Sequence, residues 1–346
     1  MSEIVDHLAD LTGFRDRDIL DVTLVGALKD FLRPQSVTIY RSVGEVGAER
    51  WITRARLGEH DAVAKADPVW ADVETLPHLH EFPARLQAMN GQSVVIVPGT
   101  PHLSIFPVTT DREVVGVIEV ETQAPLSDES ERMVGSILRI YRNFQALLDY
   151  SERDTLTGLL NRKTFDESFL KATSGLIGAE GNPDATISES RRQSAPSHRY
   201  WLGLIDIDHF KSVNDTYGHL IGDEVLLLLA RLMRSSFRFH DRLYRFGGEE
   251  FVVLMRCTSE QDAALALERM RSNTINYPFP QVGQITISIG FTEVKLGDTP
   301  SGAFERSDKA VYYAKGNGRN QVQSHAVLVA RGDLEDESKT GDVELF

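Results

Sequence analysis

The 346-residue chain is read as an α+β protein of two domains joined by a helix. Three features lead to that reading. The first half runs helix, a series of short strands, then helix. The second half alternates strands and helices in the order βαββαβ. Between them, residues 127–150 carry a helical pattern with an apolar seam of its own.

Composition sets the outer bounds. The chain is 41% hydrophobic and 25% charged, ordinary for a soluble globular protein. Its formal net charge is -14, so no global basic field draws in nucleic acid or anionic lipid. A polyanionic ligand must be held by a local cluster or through metal ions. The single cysteine, Cys257, leaves no internal disulfide and no thiolate metal site. The opening "MSEIVDHLADLTG" lacks the apolar core of a signal peptide. The longest apolar run, "VLLLLARLM" from Val225 to Met233, is too short and too interrupted to span a membrane. The expectation is a soluble, cytoplasmic protein with no membrane span and no nucleic-acid polymer as partner.

In the first domain, residues 1–126 with a core from about residue 15, a helical pattern covers Asp18 to Leu32. Strand-like runs follow at "SVTIYRS", "RWITRARL", "QSVVIVPG", "LSIFPVTT" and "EVVGVIEVET". The last two alternate around a turn at Asp111-Arg112 and read as an antiparallel hairpin. The linker, residues 127–150, opens with Ser and acidic residues, which suits a helix N-terminus. Val134, Ile137, Tyr141, Phe144 and Leu148 recur at alternating spacings of three and four. That is an a/d seam over about two heptads. The helix either packs on its own domain or pairs with its twin in a second chain; both hold if each takes one end.

The second domain spans residues 151–325. A helix begins near "LLNRKTFDESFL", a strand follows at "YWLGLIDID" and a long helix at "GDEVLLLLARLMRSS". Next come the hairpin "LYRFGGEEFVVLM", a helix "EQDAALALERMRS" opened by Ser259 and Asp262, the strand "QITISIGFTEV" and the helix "SDKAVYYAKGNG", stopped by Gly316. The order is that of a ferredoxin-like sandwich. Residues 173–198, rich in Ser, Gly, Pro and charge, read as a mobile insertion. Residues 326–346 read as an acidic, disordered tail.

Chemistry concentrates at two strand ends. "LGLID" ends in Asp206 and Asp208, which strand alternation places on one face. A carboxylate at a strand exit is a natural Mg²⁺ ligand or, as often, a solvated strand end. In "RFGGEEF", Gly247 and Gly248 permit positive φ at a tight turn and leave room for a bulky anion. Glu249 and Glu250 follow at once and repel unless a cation lies near. In a βαββαβ sheet the first strand and the hairpin are neighbours, so Asp206 faces Glu249 and Glu250. Three carboxylates suit two Mg²⁺ ions on a nucleoside triphosphate. Lys211 and the N–H groups after Asp208 are placed to hold phosphates. Lys315 and Arg319 add cations around a glycine-rich end, with ordinary helix capping as the competing account. Asn214 and Asp223 form a polar pair suited to a base edge; a carboxylate accepts both guanine donors, which adenine lacks.

These residues resemble the GGDEF domains of diguanylate cyclases, with the motif here as "GGEEF". The resemblance covers about residues 151–325 and is carried in order by "DTLTGLLNR", "DIDHFKSVNDTYGHLIGDEVL", "RFGGEEF", "SIGF" and "AKGNGRN". It implies a palm-like βαββαβ domain that condenses two GTP into cyclic di-GMP and two pyrophosphates, a nucleotidyl transfer, with two domains meeting face to face in a homodimer. By resemblance, Asp206, the carbonyl of Ile207, Glu249 and Glu250 hold two Mg²⁺ ions, or Mn²⁺ in their place. Glu249 also helps deprotonate the ribose 3′-hydroxyl. The matching substrate contacts are Asn214, His219, Asp223, Lys211, Phe210, Gly247, Gly248, Lys315 and Arg319. Arg238 and Asp241, in "RFHD", match the family's inhibitory RxxD site for the cyclic product, which lies five residues before the glycine pair. The rival to catalysis is an inactive receptor for GTP or cyclic di-GMP. More loosely, residues 15–148 resemble a GAF domain, with PAS as runner-up, a sensor of unknown ligand that sets the geometry of the linker helix.

Overall fold

The structure, a computed structural model, describes residues 17–44, 47–67, 71, 73–111, 113–180 and 199–335. The chain divides into two units, Met1–Ser151 and Glu152–Phe346.

The first unit is a five-stranded antiparallel sheet in the order β2-β1-β5-β4-β3, formed by β1 (Ser36–Val43), β2 (Arg50–Gly58), β3 (Val95–Val97), β4 (His102–Thr109) and β5 (Val114–Thr122). The two helices α1 (Arg17–Leu32) and α3 (Asp128–Glu152) cover one face, and α2 (Pro83–Gly91) lies on the other. Leu20, Leu24 and Leu28 of α1 meet Val37, Ile39, Ile118 and Val120 of the sheet. Val134, Ile137, Tyr141 and Leu148 of α3 join the same cluster, with Phe144 half-buried beside it. The heptad seam is therefore satisfied within its own unit over these positions. The β4–β5 hairpin forms as expected; Arg112 of its turn lies outside the described residues. The strand expected over 92–99 shortens to Val95–Val97. Gln92 takes a left-handed conformation at the end of α2, and Pro98 has no N–H to donate.

The second unit is a six-stranded sheet in the order β11-β10-β7-β9-β8-β6. Its strands are β6 (Leu160–Asn161), β7 (Arg199–Ile207), β8 (Arg242–Gly247), β9 (Glu250–Cys257), β10 (Ile287–Val294) and β11 (Val322–Ser324). Its helices are α4 (Arg162–Glu180), α5 (Phe210–Tyr217), α6 (His219–Ser236), α7 (Glu260–Asn276), α8 (Pro300–Gly316) and α9 (His325–Arg331). The inner four strands, β10-β7-β9-β8, are mutually antiparallel, and the expected βαββαβ order runs through them. β7 is buried from Tyr200 to Ile207, which explains its unbroken apolar run.

Three expectations change. The single helix read from Gly222 starts at His219 and follows a separate α5, with Gly218 at φ +84° as the break. The stretch 173–198, read as a mobile insertion, begins helically. Phe165, Phe169 and Ala172 give α4 a continuous buried face, and the helix runs on to Glu180. Residues 181–198 lie outside the described residues. The tail read as disordered from residue 326 begins with α9. Its Ser324 cap accepts from the N–H of Val327, Leu328 is buried, and Gly332 closes the helix in a left-handed conformation. Residues 336–346 lie outside the described residues.

Candidate active site

The β7–β9 register sets Asp206 directly opposite Glu250. Asp206 is 6% exposed at the end of the central strand. One of its oxygens, Oδ2, takes the ammonium of Lys315 at 2.8 Å, and the other, Oδ1, is buried with no hydrogen-bond partner. Burial raises the pKa of Asp206; Lys315 works against that rise, and Asp208 and Asp308 add to it. Glu249 and Glu250 are half-buried, and both pKa values are raised, first by burial and then by the charge of Asp206. The three carboxylates thus lie in one another's field at one edge of the sheet.

The turn that carries the glutamates is open. Gly247 sits at φ +147° and Gly248 at φ +51°, and a Cβ on either would meet no atom within 4 Å. On its flanks Phe246 stacks on Phe304 with centroids 5.1 Å apart, and Phe251 is buried in the core. Arg245 holds the turn's backbone. Its Nε and Nη2 donate to the carbonyl of Gly248 at 3.1 and 2.9 Å, and its Nη1 pairs with Asp154 at 3.1 and 3.2 Å. Asp154 is fixed in turn by the N–H and hydroxyl of Thr157 at 2.8 and 2.7 Å. Burial opposes ionisation there, but the Thr157 bonds and the Arg245 charge hold the Asp154 pKa below the ordinary value.

Asp208 takes a different role from Asp206. It accepts from Thr286 Oγ1 and Ser288 Oγ, both at 2.7 Å, and from the N–H of Asn320 at 3.0 Å. It therefore fastens the glycine-rich turn after α8 to β7 and β10. Lys315 lies in the last turn of α8, and exposed Arg319 follows at φ +61°. The sequence offered Asp208 as a strand-end carboxylate on the face of Asp206 but not as this framework bond, and it did not mark the Arg245–Asp154 pair.

The other expected contacts fall on α5 and α6. Lys211, His219 and Asp223 are exposed, and Asn214 is half-buried. Gly222 sits against Asn214: a Cβ there would lie 2.0 Å from Asn214 Oδ1. Phe210 is packed into the hydrophobic core, with the tip of its ring beside Gly222. Arg238 and Asp241 follow α6. Asp241 Oδ2 caps the turn by accepting from the N–H of Arg238 at 2.9 Å, while Oδ1 is buried without a partner. Burial pushes the Asp241 pKa up to about 6, against the hydrogen bonds it accepts from backbone N–H groups and the charge of Arg238.

The donor set at Asp206 fits a divalent cation. It is made of hard oxygens, one of them an orphaned buried carboxylate oxygen, beside the half-buried Glu249 and Glu250. Among the described residues no three His, Cys, Asp or Glu side chains close into a cage. Among the described residues, Lys315 supplies the positive group in contact with Asp206.

Residues 184–321 match the family described as "Diguanylate cyclase, GGDEF domain". Over 194 residues the chain is 38% identical to the response regulator PleD of Caulobacter vibrioides, covering 53% of this chain and 38% of that protein. Over 187 residues it is 34% identical to the diguanylate cyclase DgcZ of Escherichia coli, covering 51% of this chain and 57% of that protein. The match thus spans well under two thirds of these relatives. Among solved structures, the active GGEEF domain of a diguanylate cyclase from Vibrio cholerae is 31% identical, with 48% of this chain and 97% of that one covered at a TM-score of 0.41. The coiled coil and GGDEF domain of DgcB from Caulobacter crescentus, in complex with c-di-GMP, is 26% identical, with 57% and 100% covered at a TM-score of 0.47. With the motif series intact and the match lying in the second unit, residues 184–321 are similar to the GGDEF domains of diguanylate cyclases.

Proposed function

We propose that the chain is a diguanylate cyclase, condensing two GTP into cyclic di-GMP with loss of two pyrophosphates. Asp206 carries the reading. It is a buried carboxylate opposite Glu250, with one oxygen on Lys315 and the other without a partner. Asp206, the carbonyl of Ile207, Glu249 and Glu250 hold two divalent ions, Mg²⁺ or Mn²⁺. When bound, such ions neutralise the triphosphate and polarise the phosphorus under attack.

The chain's own residues supply the rest. Glu249 is half-buried, and burial and the charge of Asp206 raise its pKa, which makes its carboxylate a stronger base toward a ribose 3′-hydroxyl. Lys315, Arg319 and Lys211 hold phosphate oxygens, and the bare backbone at Gly247 and Gly248 lets the triphosphate lie close. Asn214 and Asp223 take the guanine edge, His219 contacts the nucleotide, and Phe210 contributes through its backbone. Positioning and charge neutralisation provide most of the catalysis. One site holds one GTP, so two second units meet face to face in a homodimer built through the first unit and α3. The first unit is a GAF-type sensor that controls this meeting. Arg238 and Asp241 form an inhibitory site for the product. The protein works in the cytoplasm; no helix among the described residues is long and apolar enough to cross a membrane.

The test is incubation of purified protein with GTP and Mg²⁺, followed by chromatographic identification of the product. Cyclic di-GMP is expected from the wild type and not from Glu250→Gln. A wild type that binds GTP yet yields no cyclic di-GMP is a receptor, and the cyclase reading is then wrong.

A further inference from the structure

A buried ion pair in the first unit has no part in nucleotide condensation. Arg85 of α2 is 7% exposed and Glu119 of β5 is 8% exposed. They meet through two parallel bonds, Nε to Oε1 at 2.6 Å and Nη2 to Oε2 at 2.9 Å. The guanidinium carbon lies 3.6 Å from the ring centroid of Tyr40 and 3.9 Å from that of Phe82, with Trp51 at 5.9 Å. A carboxylate fork at one end and aromatic faces along the sides are the two elements that recognise a planar cation.

Most of this recess belongs to the sheet. Thr38 lies opposite Glu119 and Tyr40 opposite Val117 in the β1–β5 register, and Ser42 lies opposite Trp51 in β1–β2. The alternation of β1 then puts Tyr40, Trp51 and Glu119 on one face. Arg85, by contrast, arrives from α2, in which the only fully buried residues are Arg85 and Ala88. The cation is the charged attachment of that helix, beside an apolar one made by Ala88 with Ala84, Leu86 and Met89. If it withdraws, a carboxylate is left in an aromatic recess without a counter-charge, a costly state unless another cation enters.

We infer that Tyr40, Trp51 and Glu119 form a binding site for a guanidinium-class cation, filled in this conformation by Arg85 as an internal ligand, and that a free ligand of that class enters by displacing Arg85 together with α2 and its N-cap Phe82. The class follows from the geometry. Two parallel N–H donors meet the carboxylate fork and a flat delocalised charge lies between rings, which a lysine-type ammonium does not reproduce. Tethering makes Arg85 a competitor of high effective concentration, so the free ligand must be present well above its intrinsic dissociation constant. The site would give the sensor unit an input that acts on the attachment of one helix.

Arg85→Ala in the full chain removes the internal ligand. Methylguanidinium is the probe. It is expected to raise the Tm of this variant saturably, by about 3 °C. The double variant Arg85→Ala/Glu119→Gln, which has no buried charge to satisfy, is expected not to respond. No rise in the single variant, or the same rise in both, overturns the site. The wild type gives a reading that does not depend on how the variants fold. Amide exchange across residues 83–91 should quicken with methylguanidinium and not with equimolar sodium chloride. Exchange there that methylguanidinium leaves unchanged overturns the displacement.

Discussion

Gly290 stands where β10 passes under α8, and a Cβ added there would lie 2.2 Å from the carbonyl oxygen of Ser307 and 2.5 Å from the nitrogen of Val311. Both are backbone atoms and cannot turn aside. Gly290→Ala is expected to cost on the order of 3 kcal/mol, read from denaturant unfolding with an unchanged slope. Gly222 presents the same crowding with a different outcome, because its near atom is the side-chain oxygen of Asn214. Asn214 can rotate away, so Gly222→Ala should leave Tm within about 2 °C of the wild type. It should raise the KM for GTP about tenfold with little change in kcat, the mark of a lost ground-state contact. An unchanged KM would remove Asn214 from the nucleotide site. Asp241 makes a pH prediction. Its folded pKa of about 6 exceeds the ordinary value of 3.8, so its contribution to stability is full below that ordinary value and is lost as pH rises through about 6. Asp241→Asn should therefore stabilise the protein at about pH 8, by on the order of 2 kcal/mol, and the gain should vanish near pH 4. A gain that is the same at both pH values contradicts the buried, uncompensated charge.

At the scale of elements, the hairpin that carries Glu249 and Glu250 is held from behind by Arg245, which grips Gly248 and Asp154 together. Arg245→Lys keeps the charge and loses the fork. It should reduce cyclase turnover about tenfold or more while costing only about 1–2 kcal/mol of stability; full turnover would show that the turn needs no such brace. The hairpin and its place beside β7 were legible in advance. Alternating residues define the strands, and the βαββαβ order makes Asp206 and Glu250 neighbours. The brace was not, because Arg245 and Asp154 are 91 residues apart and Asp208 and Asn320 are 112 apart. Bonds between single side chains at such separations leave no period in the sequence. The extension of α4 to Glu180 was missed for another reason. "TSGLIG" has the composition of a loop, yet it extends a helix already formed from Arg162, and adding residues to a helix is far easier than starting one.

At the scale of the molecule, each unit has its own hydrophobic core. The second unit alone, residues 152–346, is therefore expected to fold. If catalysis joins two GTP held on two copies and the first unit pairs the chains, turnover per chain of the isolated unit should rise with protein concentration, while that of the full chain should be insensitive over the same range. Equal and concentration-independent turnover of both would separate dimerisation from the reaction. The net charge of -14 per chain opposes the approach of two copies, and this repulsion weakens with added salt.

Asp208 satisfies Thr286, Ser288 and the backbone of Asn320 at once. One carboxylate thereby ties three stretches of chain that are remote in sequence. Drift at these positions is not independent. Loss of the acid strands the buried hydroxyl of Ser288 and frees the half-buried Thr286 and Asn320, and loss of the Ser288 hydroxyl strands part of the acid. Replacements that survive should come in sets, an acceptor exchanged together with its donors. The corner of the sheet that holds Lys315 beside Asp206 should change over generations as a single inherited block.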